Sequence, residues 1–432
     1  MSIYSTENIS NTMGTVIGYE SDKALTLGID KIHRYGNILV VGEAGTGKTS
    51  CFTLGYVLQL IKRGESAIIQ DTNGELYKET ASLFESKGYR VRVFNLTDPT
   101  RSDSFNCMST GNFFFENSLF HLCGEILGHT KKTDLYDTDR EMFTAFGFDV
   151  KALLEGLLLY VGQRDNIPDR DKTLGKVYDI IANDKDLFKN IYLNAKDSGH
   201  TSAPHLLTFT TLSEERKLKT KERVLELISE FADDVIQNIT SENDLDFSLC
   251  GKEKCAYFIV GTLPDSLVTS LIWNTAYWRI LKEEDSRKRK FLDVAVNFII
   301  DDLGSLPELI RLHFPVNRMW VRPNMRTVCC VQSFEEMICP ASVFDINIFF
   351  GGTGNPDTCD EFALLCEKAS EGQSESAKYT AEKLRYLDAN KIVCVSANGE
   401  LKVTNKCHYS KYPVYITIGK KSIGDYEPFR LR

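Results

Sequence analysis

The sequence lacks a long uncharged apolar run, and this absence argues against a helix that spans a bilayer. Its apolar runs break at Lys, Glu or Asp well before the roughly 18 residues that such a helix requires. Residues 1–14 are polar and lack the basic start and apolar centre of a signal peptide. The sequence as given therefore predicts a cytoplasmic chain, associated with the inner membrane if an N-terminal anchor has been removed.

An excess of basic residues is also missing. The chain has 51 Lys and Arg against 60 Asp and Glu, which gives a formal net charge of −9. This balance argues against a surface built for non-specific nucleic-acid binding, so we expect no stable DNA binding by a monomer. A local basic patch is still compatible with it, because net charge says little about one surface.

Metal-binding cysteine spacings are absent as well, although the chain has 12 cysteines. No CxxC pair occurs, and the spacings match neither a zinc ribbon nor a zinc finger. We therefore expect reduced, buried thiols that act as small apolar side chains. The composition is otherwise globular, with 42% hydrophobic and 26% charged residues, and it excludes a disordered or low-complexity chain.

The clearest motif is a phosphate-binding loop near the N-terminus. An apolar run at 37–41 leads into Gly42-Glu43-Ala44-Gly45-Thr46-Gly47-Lys48-Thr49, and a helical pattern begins at Ser50. The loop fits G-x-x-x-x-G-K-[ST], and the flanking strand and helix are the context that the motif requires. These nine residues, 42–50, are the predicted nucleotide-binding residues.

The loop residues predict how a nucleotide is bound. Glycines let backbone N–H groups converge on phosphate oxygens, and the positive end of the following helix faces the same point. Lys48 is predicted to reach the β- and γ-phosphates, and the Thr49 hydroxyl to ligate Mg²⁺. The predicted cofactors are ATP and Mg²⁺.

Two later strands end in polar residues that complete such a site. The run 294–300 ends in Asp301-Asp302, and the run 326–331 ends in Gln332. We expect Asp301 to bind Mg²⁺ from the carboxyl end of its strand, and Asp302 to orient the attacking water. Gln332, on the adjoining strand, is predicted to position that water or to contact the γ-phosphate.

The order of patterns predicts an α/β fold with a central, mainly parallel sheet. Strand, helix and strand patterns follow one another over 66–96. A hairpin pattern with an Asn-Gly turn lies at 392–404, towards the end of the chain. Strand patterns vanish between 110 and 245, where a capping box at 138–141 precedes an apolar helical stripe. We therefore expect a nucleotide-binding domain at 1–109 and 246–432, interrupted by an all-helical domain at 110–245.

Together these motifs resemble the type IV secretion coupling proteins, the conjugation ATPases that bring substrates to a secretion channel. Besides the phosphate loop, the matching segments are Asp71–Tyr77, Gly88–Leu96, Asp98-Pro99, Ser104–Asn106, Ile299–Asp302, Gln332-Ser333 and Gly351-Gly352. The resemblance runs from about residue 17 to residue 370. The phosphate loop alone is generic, whereas the Gly-Glu-Leu-Tyr, Gly-Tyr-x-Val and Gln-Ser segments are more specific.

The resemblance implies a RecA-like P-loop ATPase that works as a ring hexamer at the inner membrane. It implies that the helical domain receives a relaxase–DNA complex or a protein effector, and that the protein also contacts components of the secretion channel. In such a ring a neighbour's arginine can complete the site, and the candidates here are Arg318, Arg322 and Arg326.

The sequence departs from the family pattern in ways that leave other functions open. The family's usual Asp-Glu pair is Asp301-Asp302 here, and its Asp-Pro-Lys-Gly segment is replaced by residues 71–74. The shorter Asp302 carboxylate predicts slow hydrolysis, since a displacement of about 1 Å can cost about 100-fold in rate. There are two alternatives. One is a nucleotide-binding scaffold with little ATPase activity, and the other is a soluble FtsK-like DNA-pumping ATPase.

Overall fold

The computed structural model describes most of the chain. The described residues are 2–109, 118–129, 145–165, 167–183, 187–261, 266–288, 291–306, 324–337, 339–352, 355–369, 379–414 and 419–429.

The described residues form one twelve-stranded sheet, in the order β1-β3-β2-β12-β11-β10-β4-β9-β8-β5-β7-β6. In chain order the strands are β1 (Tyr4–Glu7), β2 (Thr15–Glu20), β3 (Lys23–Leu27), β4 (Ile38–Val41), β5 (Ser66–Asp71), β6 (Arg90–Asn95), β7 (Cys255–Val260), β8 (Val296–Ile300), β9 (Met325–Val331), β10 (Ile346–Phe349), β11 (Lys391–Ser396) and β12 (Leu401–Asn405). The run from β10 to β6 is parallel throughout, which confirms the predicted parallel centre.

The other end of the sheet is antiparallel. The predicted hairpin of β11 and β12 is present, with Gly399 of its turn at a φ of +80° that suits glycine. The strands β1, β2 and β3 extend the sheet beyond it, although sequence analysis predicted no strands there. The strand β1 is short and largely polar, and its Tyr4 hydroxyl lies 3.0 Å from the Cys394 thiol on a strand almost 400 residues away.

Helices cover both faces of the sheet. They are α1 (Ile29–Ile32), α2 (Leu54–Arg63), α3 (Glu75–Ser86), α4 (Ser118–Gly128), α5 (Ala145–Gln163), α6 (Leu174–Ala182), α7 (Leu187–Asp197), α8 (Ala203–Thr210), α9 (Glu214–Leu227), α10 (Asp234–Ile239), α11 (Leu267–Asp285), α12 (Pro356–Ala369) and α13 (Ala381–Arg385). One apolar core joins α2 and α3 to one face of the sheet. The other core joins α11, α12 and the helices of the 118–239 region to the opposite face.

The described part of the 110–245 region is helical, as predicted. The sequence pattern over 222–239 predicts one continuous helix, but the structure interrupts it, because Ile228 leaves the helical conformation and the Asp233 carboxylate caps a new helix, α10. The intervening Glu230 instead accepts hydrogen bonds from the backbone N–H groups of Leu267 and Val268, at 2.8 and 3.1 Å, and so caps α11. The capping box at 138–141 lies outside the described residues.

Two further expectations concern single segments and the thiols. The charged composition of 282–290 predicts an exposed loop, but α11 continues to Asp285, and Glu283 pairs with Arg287 just beyond the helix at 3.0 Å. All twelve cysteines are free thiols, and ten of them are buried, as expected. Within the described residues, we find no helix that is both long and apolar enough to cross a membrane.

Candidate functional site

The phosphate loop joins β4 to a helical segment at the carboxyl edge of the parallel strands. The loop begins at Gly42, whose N–H donates to the carbonyl of Val331 at the end of β9, at 3.1 Å. Gly45 and Gly47 have φ values of +78° and +89°, so the loop requires glycine at both positions. A single wide helical turn, Thr49–Thr53, then leads into α2.

Side chains of the loop fold back onto its own backbone. The Lys48 ammonium donates to the carbonyls of Gly42 and Glu43, the latter at 3.1 Å. The Thr46 hydroxyl donates to the same Glu43 carbonyl at 2.8 Å, and the Ser50 hydroxyl donates to Gly47 at 3.5 Å. Ala44 and Gly45 are the exposed residues of the loop.

Asp301 meets the loop at this edge, as the sequence predicts. The hydroxyl of Thr49 donates to its Oδ2 at 2.7 Å, and the hydroxyl of Thr53 donates to its Oδ1 at 2.6 Å. The strand β8 brings Asp301 there, because it lies in parallel next to β9, which in turn pairs with β4. Thr53 belongs to none of the sequence motifs, although its position one helical turn after Thr49 places both hydroxyls on one face.

Burial governs the charge of the two acids. It raises the pKa of Asp301, and the hydroxyls of Thr53 and Thr49 and the nearby Lys48 ammonium partly oppose this effect. Burial also raises the pKa of Asp302, and Lys48 is the largest opposing influence. The same ammonium therefore acts on both acids, which places the predicted residues Lys48, Asp301 and Asp302 in one site.

Gln332 also lies in this group. Its side chain hydrogen-bonds the Asp302 carboxyl and lowers its pKa, while its own backbone N–H donates to the Glu336 carboxylate at 2.9 Å. The structure thus brings Gln332 to Asp302, next to the predicted metal-binding pair.

Asp71 is an acid of this edge that the sequence analysis did not include among the site residues. It ends β5, beside β8, and its carboxylate accepts a hydrogen bond from the N–H of Tyr77 at 2.7 Å, at the start of α3. Burial raises its pKa to about 6, and the negative charge of Asp301 adds to this increase. The sequence feature that could have identified Asp71 is an acid at the end of an apolar strand.

A pair of glycines packs against the other side of the loop. Gly351 and Gly352 follow β10, with φ values of +88° and +107°. A side chain at Gly352 would lie within 2.7 Å of the Glu43 side chain, so glycine there permits the close approach. The predicted family segment at 351–352 therefore forms a wall of the site.

The expectation for Arg326 is wrong. Its guanidinium is buried and binds the Glu65 carboxylate at 2.7 Å, at the amino end of β9 and thus at the opposite edge of the sheet. A buried, paired side chain cannot reach the site of a neighbouring subunit. Arg318 and Arg322 lie outside the described residues.

The arrangement offers the groups that a magnesium-bound polyphosphate needs. It combines a glycine-rich loop, an ammonium group, and a hydroxyl and a carboxylate that lie 2.7 Å apart. Hard oxygen donors of this kind suit Mg²⁺. Among the described residues, no cluster of three or more His, Cys, Asp or Glu side chains forms a separate metal site.

Comparison with known proteins decides the family. The family model described as "Type IV secretory system Conjugative DNA transfer" matches residues 4–313, well over half of the chain. The chain belongs to this family. Among proteins with curated descriptions, none matches the chain.

Solved structures show the fold of this family member. The bacterial conjugative coupling protein TrwB matches with a TM-score of 0.62 at 13% identity, over 91% of this chain and 88% of that one. TrwB in complex with ADP and Mg²⁺ matches with a TM-score of 0.61 at 14% identity, over 88% and 87%. VirB4 of Thermoanaerobacter pseudethanolicus matches with a TM-score of 0.55 at 17% identity, over 94% and 99%. The chain therefore shares the fold of these proteins, which confirms the predicted α/β architecture with a mainly parallel central sheet.

Proposed function

We propose that this conjugative DNA transfer protein binds ATP with Mg²⁺ and hydrolyses it to drive substrate transfer. The observation that supports this most directly is the contact between Thr49 and Asp301, at 2.7 Å. It joins the end of the phosphate loop to the acid of a distant strand, as a P-loop NTPase site requires. TrwB, which shares the fold, has a structure in complex with ADP and Mg²⁺.

The loop residues 42–50 are the proposed phosphate ligands. The N–H groups of the loop face the phosphates, and Lys48 exchanges its contacts with Gly42 and Glu43 for the β- and γ-phosphates. Thr49 and Asp301 are the residues that would hold Mg²⁺, which supplies positive charge to the phosphate oxygens. Asp302 and Gln332, already in contact, would orient the attacking water.

The length of Asp302 bears on the rate. Its carboxylate is one methylene shorter than the Glu that is usual in the family, so we expect slow hydrolysis. The same feature favours the second candidate, a nucleotide-binding scaffold that recruits cargo with little turnover. A soluble DNA-pumping ATPase is the third candidate, and no contact among the described residues favours it.

The wider assembly is also a proposal. We infer that residues 110–245 act as an all-helical domain that receives a relaxase–DNA complex or a protein effector, with 1–109 and 246–432 as the nucleotide-binding domain. The family match supports a role in DNA transfer. A homo-hexamer that contacts the secretion channel at the inner membrane would couple ATP hydrolysis to that transfer.

Two measurements on the full chain test the proposal. Isothermal titration calorimetry is expected to show Mg-ATP binding by the wild type and at least a 100-fold weaker affinity for Lys48→Ala, because the ammonium faces the phosphates. Equal binding by both proteins would refute nucleotide binding at this loop. Phosphate release and the formation of a hexamer with nucleotide are then measured together. A motor should show both, whereas a scaffold should release little phosphate.

A further inference from the structure

A second lysine reaches the phosphate loop from a distant part of the chain. Lys406 directly follows β12, and its ammonium donates a hydrogen bond to the carbonyl of Thr46 at 2.8 Å. The two residues are separated by 360 positions, and Lys406 belongs to none of the motifs found in the sequence.

The backbone and the ammonium of Lys406 are both held in place. Its N–H donates to the carbonyl of Asn390 at 2.7 Å, which fixes the chain just beyond the hairpin. Its ammonium lies 5.2 Å from the centre of the Phe350 ring, a cation–π distance. Phe350 is itself buried against Gly42, where an added side chain would come within 2.8 Å of the Phe350 Cβ.

The contacts that Thr46 makes through its own N–H and hydroxyl groups stay within the loop. Thr46 lies between Gly45 and Gly47, the two glycines with positive φ. Glycine can adopt many backbone conformations, so the chain on either side of Thr46 is weakly constrained by its own sequence. Its own contacts, from its N–H at 3.3 Å and its hydroxyl at 2.8 Å, both end on the Glu43 carbonyl within the loop. Lys406 adds a contact that ties the Thr46 carbonyl to the segment directly after β12.

We propose that Lys406 is a positioning residue for the nucleotide, which fixes the Thr46 peptide so that the loop is preorganised around the phosphates. It also places a second positive charge beside the loop, in a chain that lacks the Lys of the usual Asp-Pro-Lys-Gly segment. The inference rests on the proposed function, because it assumes that the loop binds a polyphosphate. Preorganised donors of this kind strengthen binding by removing the cost of ordering the loop.

The test compares Lys406→Met with Lys402→Met in the full chain. Lys402 lies on β12 and is 42% exposed, with its ammonium 3.4 Å from Glu400, so it provides the same substitution away from the loop. Calorimetry is expected to show about tenfold weaker Mg-ATP binding for Lys406→Met, since a hydrogen bond to a charged group is lost. Lys402→Met should bind as the wild type does, and Lys406→Arg should restore most of the affinity.

Further readouts distinguish positioning from a purely structural role. We expect Lys406→Met to raise the KM for ATP more than it lowers kcat, and to reduce the nucleotide-induced rise in Tm while the Tm without nucleotide changes little. A lower Tm without nucleotide together with unchanged affinity would overturn the inference. If Lys406→Met does not fold, Lys406→Gln replaces it, with the same expectation of weaker binding.

The outcomes also separate this inference from the proposed function. A wild type that binds no Mg-ATP would refute the proposed function itself. A wild type that binds, with Lys48→Ala defective and Lys406→Met unchanged, would refute only the role of Lys406.

Discussion

Buried acids at the amino ends of the central strands differ in pairing and in pKa from those at the carboxyl ends. At the amino end, Glu65 precedes β5 and accepts from two guanidinium groups, Arg63 at 2.9 Å and Arg326 at 2.7 Å. Asn297 of β8 adds a hydrogen bond at 3.2 Å. The two arginines outweigh the effect of burial and lower the pKa of Glu65 to about 2.

At the carboxyl end, no such pairing occurs among the described residues. Asp71, Asp301 and Asp302 lie at the ends of neighbouring strands, and burial raises the pKa of each. Their partners are hydroxyls, backbone N–H groups and the Gln332 side chain, and the nearby Lys48 ammonium, which is bound to loop carbonyls, acts on Asp301 and Asp302 through its charge. Buried acids that lack full compensation are typical of functional sites, where a bound cation supplies the missing charge.

The contrast teaches which acids serve stability and which serve function. The fully paired acid at the amino end should matter for folding and not for nucleotide binding, whereas the acids at the carboxyl end should show the reverse. Substitutions at the two ends therefore test the distinction.

The largest expected effect is on stability at the amino end. Glu65→Gln leaves Arg63 and Arg326 buried without a countercharge, which should lower the free energy of unfolding by about 3–5 kcal/mol in urea denaturation. The control is Glu253→Gln, because the pair of Glu253 with Arg90 is 45% and 38% exposed and should contribute less than about 1 kcal/mol. Equal losses in both variants would contradict the structural role of Glu65.

The next effect is on catalysis at the carboxyl end. Asp301→Asn removes the proposed metal ligand and should slow ATP hydrolysis by about 100-fold or more, measured as phosphate release. Its stability should stay the same or increase, since a buried carboxylate without an arginine is replaced by a neutral amide. A loss of stability as large as that of Glu65→Gln would mean that Asp301 is a structural acid.

The two ends should also respond to pH with opposite signs. The pKa of Glu65 is lowered to about 2 in the folded state, so its stabilisation is present above the unfolded value near 4.5 and is lost as pH falls towards 2. The pKa of Asp71 is raised to about 6, so the folded state loses stability as pH rises from near 3.8 through 6. Each effect amounts to about 3 kcal/mol at full extent.

Unfolding free energies across pH test these signs in two variants. Asp71→Asn keeps an oxygen acceptor for the Tyr77 N–H and should be more stable than the wild type at pH 8, with the difference vanishing near pH 4. Glu65→Gln should be less stable than the wild type at pH 8, with the difference shrinking below pH 4. The same sign for both variants at pH 8 would remove the distinction between the two ends.

The smallest expected effect concerns the length of one acid. Asp302→Glu restores the usual family residue beside Gln332 and should speed ATP hydrolysis by about tenfold, because the longer carboxylate reaches the attacking water better. Mg-ATP affinity should change little. Unchanged turnover would show that the length of Asp302 does not limit the reaction, and Asp302→Asn serves as the control for charge.

Local patterns explain why much of the site could be predicted from the sequence. The phosphate loop, the strand that ends in Asp301 and the strand that ends in Gln332 are each continuous segments with a period or motif of their own. Parallel pairing then brings the ends of their strands to one edge without further information. The predicted fold class followed from the same patterns.

The remaining features depend on contacts between distant segments. Lys406 meets Thr46 across 360 positions, and Arg326 meets Glu65 across 261 positions. No local pattern marks either pair, which is why Arg326 was one of three candidates for an arginine that acts on a neighbouring subunit. The strand β1 was missed because it is short and largely polar and is stabilised by pairing with β3.

Binding of Mn²⁺ in place of Mg²⁺ tests the central claim most directly, because its electron paramagnetic resonance signal reports the bound ion. With ATP present, we expect the wild type to bind Mn²⁺ tightly, and Thr49→Val and Asp301→Asn each to weaken binding by at least tenfold, while Glu65→Gln binds as the wild type does. If Thr49→Val and Asp301→Asn both bind Mn²⁺ as tightly as the wild type does, the result would contradict a metal-nucleotide site formed by the phosphate loop and the end of β8.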